Sequence, residues 1–312
     1  MQIDLYNKKI TKASPFMKWV GGKRQLIPEI EKRLPLSIKK TGKIEKYFEP
    51  FIGGGALFFY LMSNYDIKKA YISDVNNELI LTYEVIKKDH LLLIEKLKEL
   101  EENYLKLNQE KRKDFFLDIR SKFNDDLESF DYGKFDEESV IRASYTLFMN
   151  KTCFNGLFRL NKKGEFNVPH GRYKNPTICN SENITNVHYL LEDVEIRNAS
   201  YLDSEEYIDD KSLVYLDPPY RPLSKTSNFT SYSSNDFNDD DQIELSHYFK
   251  RISDKGANVI LSNSDPHNVD IDDNFFDDLY HDFTIERIDA KRSINSNGNK
   301  RGAINELIIR NY

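Results

Sequence analysis

The chain has 312 residues, 39% hydrophobic and 31% charged, with a net charge of −6. That balance excludes wholesale disorder and supplies a core for one or two domains, while the acidic sum argues against indiscriminate binding of polyanions. No apolar run approaches a membrane span, the first residues lack the pattern of a secretory leader, and Cys153 and Cys179 make neither a disulfide framework nor a zinc site, so cytoplasmic residence without a metal is expected.

In chain order, Trp19-Val-Gly-Gly-Lys23 comes first, ahead of a helical pattern from Gln25 to Leu34. Glycines before a helix leave N–H groups that can receive an anion, to which Lys23 adds charge. A plain helix start with an aromatic staple is the competing reading. A phosphate loop is disfavoured, because the first glycine of GxxxxGK is missing and Arg24 follows the lysine. A strand is predicted over 47–51, running into Gly53-Gly54-Gly55 and an apolar helix. Glycines at such a turn let a ligand approach the backbone at the carboxyl edge of a sheet, but Phe58 stands where the dinucleotide fingerprint needs its third glycine, which disfavours NAD. The next strand, 69–74, ends in Asp74, an acid that can accept ribose hydroxyls or simply cap the helix after it.

The spacing of Leu79, Ile80, Tyr83, Ile86, Leu91, Ile94, Leu97 and Leu100 predicts a helix over 77–107, and a second is predicted over 136–150. From about 85 to 185 the chain is helix-rich and then turn-rich, which reads as an insertion into an α/β domain. Between Arg142 and Lys174 seven basic residues face one acid, Glu165, a local balance of +6 that leaves −12 elsewhere. One anion-facing surface is therefore expected there. Strands over 212–217, 258–263, 284–290 and 305–311, with a helix over 240–255, complete the domain. The first of these leads into Asp217-Pro218-Pro219-Tyr220. Two prolines remove two N–H donors and leave carbonyls as acceptors, so a ligand amino group could donate to Asp217 and to the Pro218 carbonyl while its ring stacks on Tyr220. The bland reading is a strand ended by a Pro-Pro turn. Its place after a glycine loop and a ribose-type acid favours the functional one.

Asp217 to Tyr220, with the Phe51-Ile-Gly-Gly-Gly55 loop, resembles the amino-methyltransferases that use S-adenosylmethionine. The order of motifs, with an inserted recognition region before the second, is similar to the alpha group, D12 class, of DNA adenine-N6 methyltransferases, and nearest to the Dam and DpnII-type GATC methylases. Residues 155–161, 164–169, 171–174 and 222–232 carry the likeness beyond the two main motifs. The resemblance implies a Rossmann-like sheet forming a discontinuous catalytic domain, 1–84 and 186–312, around a mainly helical recognition domain, 85–185. It implies that Trp19, Lys23, Asp74 and Asp217 contact S-adenosylmethionine, with Gly53 and Gly55 giving backbone access. Lys18, Asn155, Leu157, Arg159 and Pro169 match positions that contact the GATC site, and Phe154 matches one that intrudes into the base stack. Ser200 stands where DpnII-type sequences carry an aspartate.

The implied reaction is methyl transfer to adenine N6 in duplex 5′-GATC-3′, with Asp217, Pro218 and Tyr220 as the catalytic residues and the loop 221–235 as a candidate lid over a flipped base. A restriction endonuclease is the implied functional partner, without physical contact. DPPY-type motifs also serve cytosine N4 and protein glutamine, so the motif alone leaves the acceptor open; an adenine methylase of other specificity and a non-catalytic DNA-binding relative are the alternatives.

Overall fold

Seven strands form one sheet in the computed structural model, which describes residues 12–19, 21, 24–127, 129–221, 237–291 and 303–312. Strands β1 (Lys43–Glu49), β2 (Asp66–Asp74), β3 (Val194–Asn198), β4 (Ser212–Leu216) and β5 (Asn258–Ser264) are parallel. The antiparallel partners are β6 (Thr284–Lys291) and β7 (Ala303–Arg310), and the order across the sheet is β3-β2-β1-β4-β5-β7-β6. Strand order reverses between β1 and β4, so their carboxyl ends flank the crevice in which open α/β sheets hold ligands. All five residues of β4 are buried, as a central strand covered on both faces requires.

Before β1 lie two short helices, α1 (Ile27–Lys32) and α2 (Leu36–Thr41), and α3 (Ala56–Asn64) follows the glycine loop. The segment between β2 and β3 holds α4 (Asn77–Leu105), α5 (Gln109–Asp125), α6 (Glu137–Thr152) and α7 (Ser181–Leu191). Asn76 caps α4 by accepting the Leu79 N–H at 3.0 Å, and the helix is broken at Asp89, where φ and ψ are −146° and 58°. Apolar residues of α4, α5, α6 and α7 join those of β1 and β2 in one continuous core, so the inserted helices pack on the sheet domain. The far face of the sheet is covered by α8 (Asp239–Asp254) and α9 (Phe275–Leu279). No helix among the described residues is long and apolar enough to cross a membrane.

All six strands expected from the sequence are present, and the helix expected over 77–107 ends at Leu105. The seventh strand, β3, escapes a search for apolar runs because it is an edge strand of sequence Val-Glu-Ile-Arg-Asn with one fully buried residue. The helical pattern from Gln25 to Leu34 forms only the six-residue α1. Its leading Lys23, and all of the expected lid 221–235 but Arg221, lie outside the described residues.

Candidate active site

The glycine loop carries β1 into α3, and it is tight because aromatic rings close on it. Gly53 and Gly55 have φ of 45° and 67°; a Cβ on Gly53 would stand 2.7 Å from Trp19 Cδ1, and one on Gly55 2.6 Å from the Tyr83 hydroxyl. The glycines thus make room for the protein's own rings as well as exposing backbone. The Gly53 N–H donates to Asp74 Oδ2 at 3.1 Å and the Asn76 N–H to Oδ1 at 2.9 Å. Burial raises the Asp74 carboxyl to about 6 against the pull of these backbone donors. Trp19, Gly53 and Asp74 are therefore brought together. Val75, beside Asp74, is 68% exposed, an apolar surface at the mouth of the crevice. Ser200 serves as a cap on the turn 201–207, where its hydroxyl accepts the Leu202 N–H at 3.3 Å.

Across the crevice, β4 delivers Asp217, partly buried, and Pro218, buried. Asp217 Oδ1 accepts the Ser262 hydroxyl at 3.1 Å. The Tyr220 hydroxyl donates to Glu306 Oε2 at 2.8 Å, which ties the ring to β7. Arg221 closes the segment: its Nε reaches Asp239 at 2.8 Å, its Nη1 reaches Asp273 at 2.6 Å, and its guanidinium lies 4.2 Å from the Phe275 ring centre.

Sequence reasoning missed Glu49, the last residue of β1. It is buried and accepts the Tyr47 hydroxyl at 2.6 Å. Burial pushes its carboxyl up to about 8; the Asp217 charge adds to this, while the Tyr47 hydroxyl and the Phe58 N–H oppose it. An acid inside the run Tyr47-Phe48-Glu49-Pro50-Phe51 was the available signal, since such a residue is rarely buried without a task or a partner. Two acids thus face one another at the carboxyl edges of β1 and β4.

The recognition candidates hang from the end of α6. The Asn150 amide binds both sides of that junction: its Oδ1 accepts the Lys18 N–H at 2.9 Å, and its Nδ2 donates to the carbonyls of Lys18 (2.9 Å) and Gly156 (3.0 Å). Phe158 stacks on Trp19, ring centres 5.5 Å apart, so the segment touches the cover of the glycine loop. Phe154 is 52% exposed, and Asn155, also exposed, holds a left-handed φ of 58°. The Phe154 N–H donates to the Pro169 carbonyl at 2.8 Å, which closes the loop. Leu157 is half-buried against the core, and Arg159 Nε donates to Asn167 Oδ1 at 2.7 Å. Lys18, Phe154, Asn155, Leu157, Arg159 and Pro169 are therefore gathered on one loop system adjoining Trp19.

The basic island is smaller than the sequence suggests. Arg142 is 3% exposed, with Nε and Nη2 on Glu78 Oε1 at 2.8 and 2.5 Å and its guanidinium 4.3 Å from the Phe123 ring centre. Tyr132 donates to the same carboxylate. This arginine is a core ion pair and no part of an anion-facing surface. Lys151 is half-buried, its pKa lowered by burial and then by Lys18. Lys162, Lys163, Arg172 and Lys174 are exposed. Among the described residues no three His, Cys, Asp or Glu side chains are grouped as a metal site.

The sequence pattern of the D12 class N6 adenine-specific DNA methyltransferases matches residues 19–294. The chain belongs to this family. It is 50% identical over 299 residues to the type II methyltransferase M.MjaIII of Methanocaldococcus jannaschii, covering 96% of this chain and 99% of that protein. It is 39% identical over 313 residues to the type II methyltransferase M1.LlaDCHI of Lactococcus lactis subsp. cremoris, covering 99% of each. The DNA adenine methylase of Escherichia coli K12 is 32% identical over 301 residues, covering 94% and 93%. The methyltransferase accordingly methylates adenine N6 in DNA, and S-adenosylmethionine is the donor that its family implies.

Proposed function

We propose that this methyltransferase acts on adenine in duplex 5′-GATC-3′, with residues 1–84 and 186–312 as its catalytic unit and 85–185 as its recognition unit. The observation that carries the sequence preference is the Arg159–Asn167 hydrogen bond of 2.7 Å. With Nε held by Asn167, and no acid ion-paired to Arg159 among the described residues, the two terminal nitrogens are oriented as a fork of the kind that bonds guanine O6 and N7 in the major groove. Lys18, Asn155, Leu157 and Pro169 flank it as the remaining contacts, and exposed Phe154 is the side chain suited to fill the gap in the stack when the base leaves it.

The donor supplies an electrophilic methyl on a sulfonium cation when bound. The residues suit it: Asp74 offers carboxylate oxygens for ribose hydroxyls, Val75 an apolar surface for a ring, and the Asp217 carboxylate a negative field for the cation. Trp19, Gly53 and Gly55 shape that side of the crevice, and Lys23 belongs to the same set by resemblance. The Asp217 carboxylate and the Pro218 carbonyl accept the two N6 hydrogens, which localises the nitrogen lone pair for attack, and Asp217 takes the departing proton. Tyr220 stacks on the flipped base, its hydroxyl held by Glu306. Two relatives are named type II methyltransferases. That supports a protective role opposite a restriction endonuclease with which the enzyme makes no physical contact. Methylation rates on a GATC duplex and on duplexes with each position substituted singly test the specificity. Preference for GATC over every substituted site is expected, and equal rates would refute it.

A further inference from the structure

Strand β5 ends in Ser262-Asn263-Ser264, three polar side chains that are almost completely buried in the middle of a sheet. Burial of a polar side chain is unfavourable unless each group is bonded. All three are bonded to the segment 215–221 or to its immediate support. The Tyr215 and Ser262 hydroxyls lie 2.8 Å apart, and Ser262 Oγ is 3.1 Å from Asp217 Oδ1. Asn263 Oδ1 accepts the Arg221 N–H at 3.4 Å, and its Nδ2 donates to Gln242, whose own Nε2 donates to the Pro219 carbonyl at 3.0 Å. Ser264 Oγ donates to the Arg221 carbonyl at 3.1 Å.

The reason lies in the prolines. The β4–β5 ladder stops at the pair Leu216–Leu261, and Pro218 and Pro219 have no N–H with which to extend it. Side chains of the next three residues of β5 take over from the backbone. Of these, only Ser262 touches the carboxylate at the head of the motif. An ionised carboxylate accepts and does not donate, so the Ser262 hydroxyl donates to Asp217 and the Tyr215 hydroxyl donates to Ser262. Tyr215 thereby fixes the direction of the serine proton.

We propose that Ser262, held by Tyr215, is a positioning residue of the methyl transfer: it fixes the orientation of the Asp217 carboxylate toward the target amino group and favours its ionised form. This rests on the reading of Asp217 as the N6 acceptor. Among the described residues, the ionisable groups bearing on Asp217 include Glu49 from β1, Tyr215 from β4, and Tyr220 with its partner Glu306 on β7.

The test is single-turnover methylation of a GATC duplex by S262A, S262T, Y215F and D217A, with duplex affinity, donor binding by calorimetry and thermal melting measured on each. Loss of one hydrogen bond to a charged group predicts that S262A slows transfer about tenfold to a hundredfold. Its melting temperature and duplex affinity should stay near those of wild type, and the acid limb of its rate profile should move to higher pH. S262T, which keeps the hydroxyl, should recover most of the rate, and Y215F should fall between wild type and S262A. The inference is overturned if S262A turns over within about twofold of wild type, or if S262T is as slow as S262A. Should S262A not fold, a wild-type rate for Y215F overturns the relay. D217A near the wild-type rate would refute the acceptor role itself, whereas an inactive D217A beside an unimpaired S262A would refute only the role of Ser262.

Discussion

Residues 216–221, at the edge that ends in the Asp-Pro-Pro-Tyr motif, are held in large part by buried side chains, whereas residues 154–169 turn around buried Phe158, Phe166 and Val168 and leave Phe154, Asn155, Lys162, Lys163, Asn167 and Pro169 exposed. The first group is bound from β5, β7 and α8, three elements that follow it in the chain by eighteen residues or more. The second is bound partly to itself, through pairs such as Phe154 to Pro169 and Arg159 to Asn167, and is anchored to α6 through Asn150 and to α5 through Asn124, whose amide bonds both the N–H and the carbonyl of Phe166. A reaction centre needs fixed geometry, which buried networks supply. A reader of DNA needs accessible donors on a surface, which loops supply on a rigid support. Disturbing the first region should therefore alter rate or pH dependence. Disturbing the second should alter partner choice, unless the blow falls on its support.

The largest effect is expected at that support. R142A leaves the Glu78 carboxylate buried without its partner and should destabilise the enzyme by about 3–5 kcal/mol. Thermal or urea unfolding measures it. An unchanged melting temperature would mean that the recognition segment does not depend on this ion pair. The catalytic edge answers to pH. Glu49 keeps its proton to about pH 8 in the folded chain, against 4.5 as its ordinary value. The folded enzyme therefore loses stability as pH rises from about 5 through 8. Between pH 6 and 9 the loss amounts to roughly 3 kcal/mol, and E49Q, which cannot ionise, should abolish it. Parallel melting curves of wild type and E49Q across that range would break the assignment.

Smaller effects sharpen the contrast on the exposed side. If Arg159 reads a guanine as proposed, R159A should cost about 1–3 kcal/mol confined to that position, so that sites altered there become competitive. Uniform weakening across all duplexes would instead make Arg159 a phosphate ligand. Neutralising Lys162 and Lys163 together should weaken binding to every sequence alike and flatten the salt dependence by about one unit of slope for each phosphate left without its lysine. Binding titrations at several salt concentrations decide this, and an unaltered slope would place the phosphate-binding lysines and arginines elsewhere.

What the sequence makes legible is local. Gly53 to Gly55, Asp74 and Asp217 to Tyr220 are contiguous motifs whose residue types are demanded by a tight turn, a strand end and a proline pair, so they can be found by reading along the chain. What it hides is partnership at a distance. Ser262 lies 45 residues from Asp217 and Glu306 lies 86 from Tyr220, and nothing in the residues around either announces the pairing. Arg142 misleads for the same reason: counted along the chain it is one more positive charge, and only the fold brings Glu78, 64 residues earlier, against it. Strand β3 is concealed by its place at the sheet edge, where Glu195 and Arg197 can reach solvent and no apolar run is needed.

Trp19 is the one tryptophan in the chain. Its indole lies over Gly53 and stacks on Phe158, so it sits at the seam between the glycine loop, proposed to face the methyl donor, and the loop 154–169, proposed to face the duplex. The intrinsic ultraviolet emission of this protein therefore comes, for tryptophan, from a single ring at that seam. No label has to be introduced to follow the meeting of donor and duplex in time, and a stopped-flow trace of that emission can be assigned to one place in the molecule.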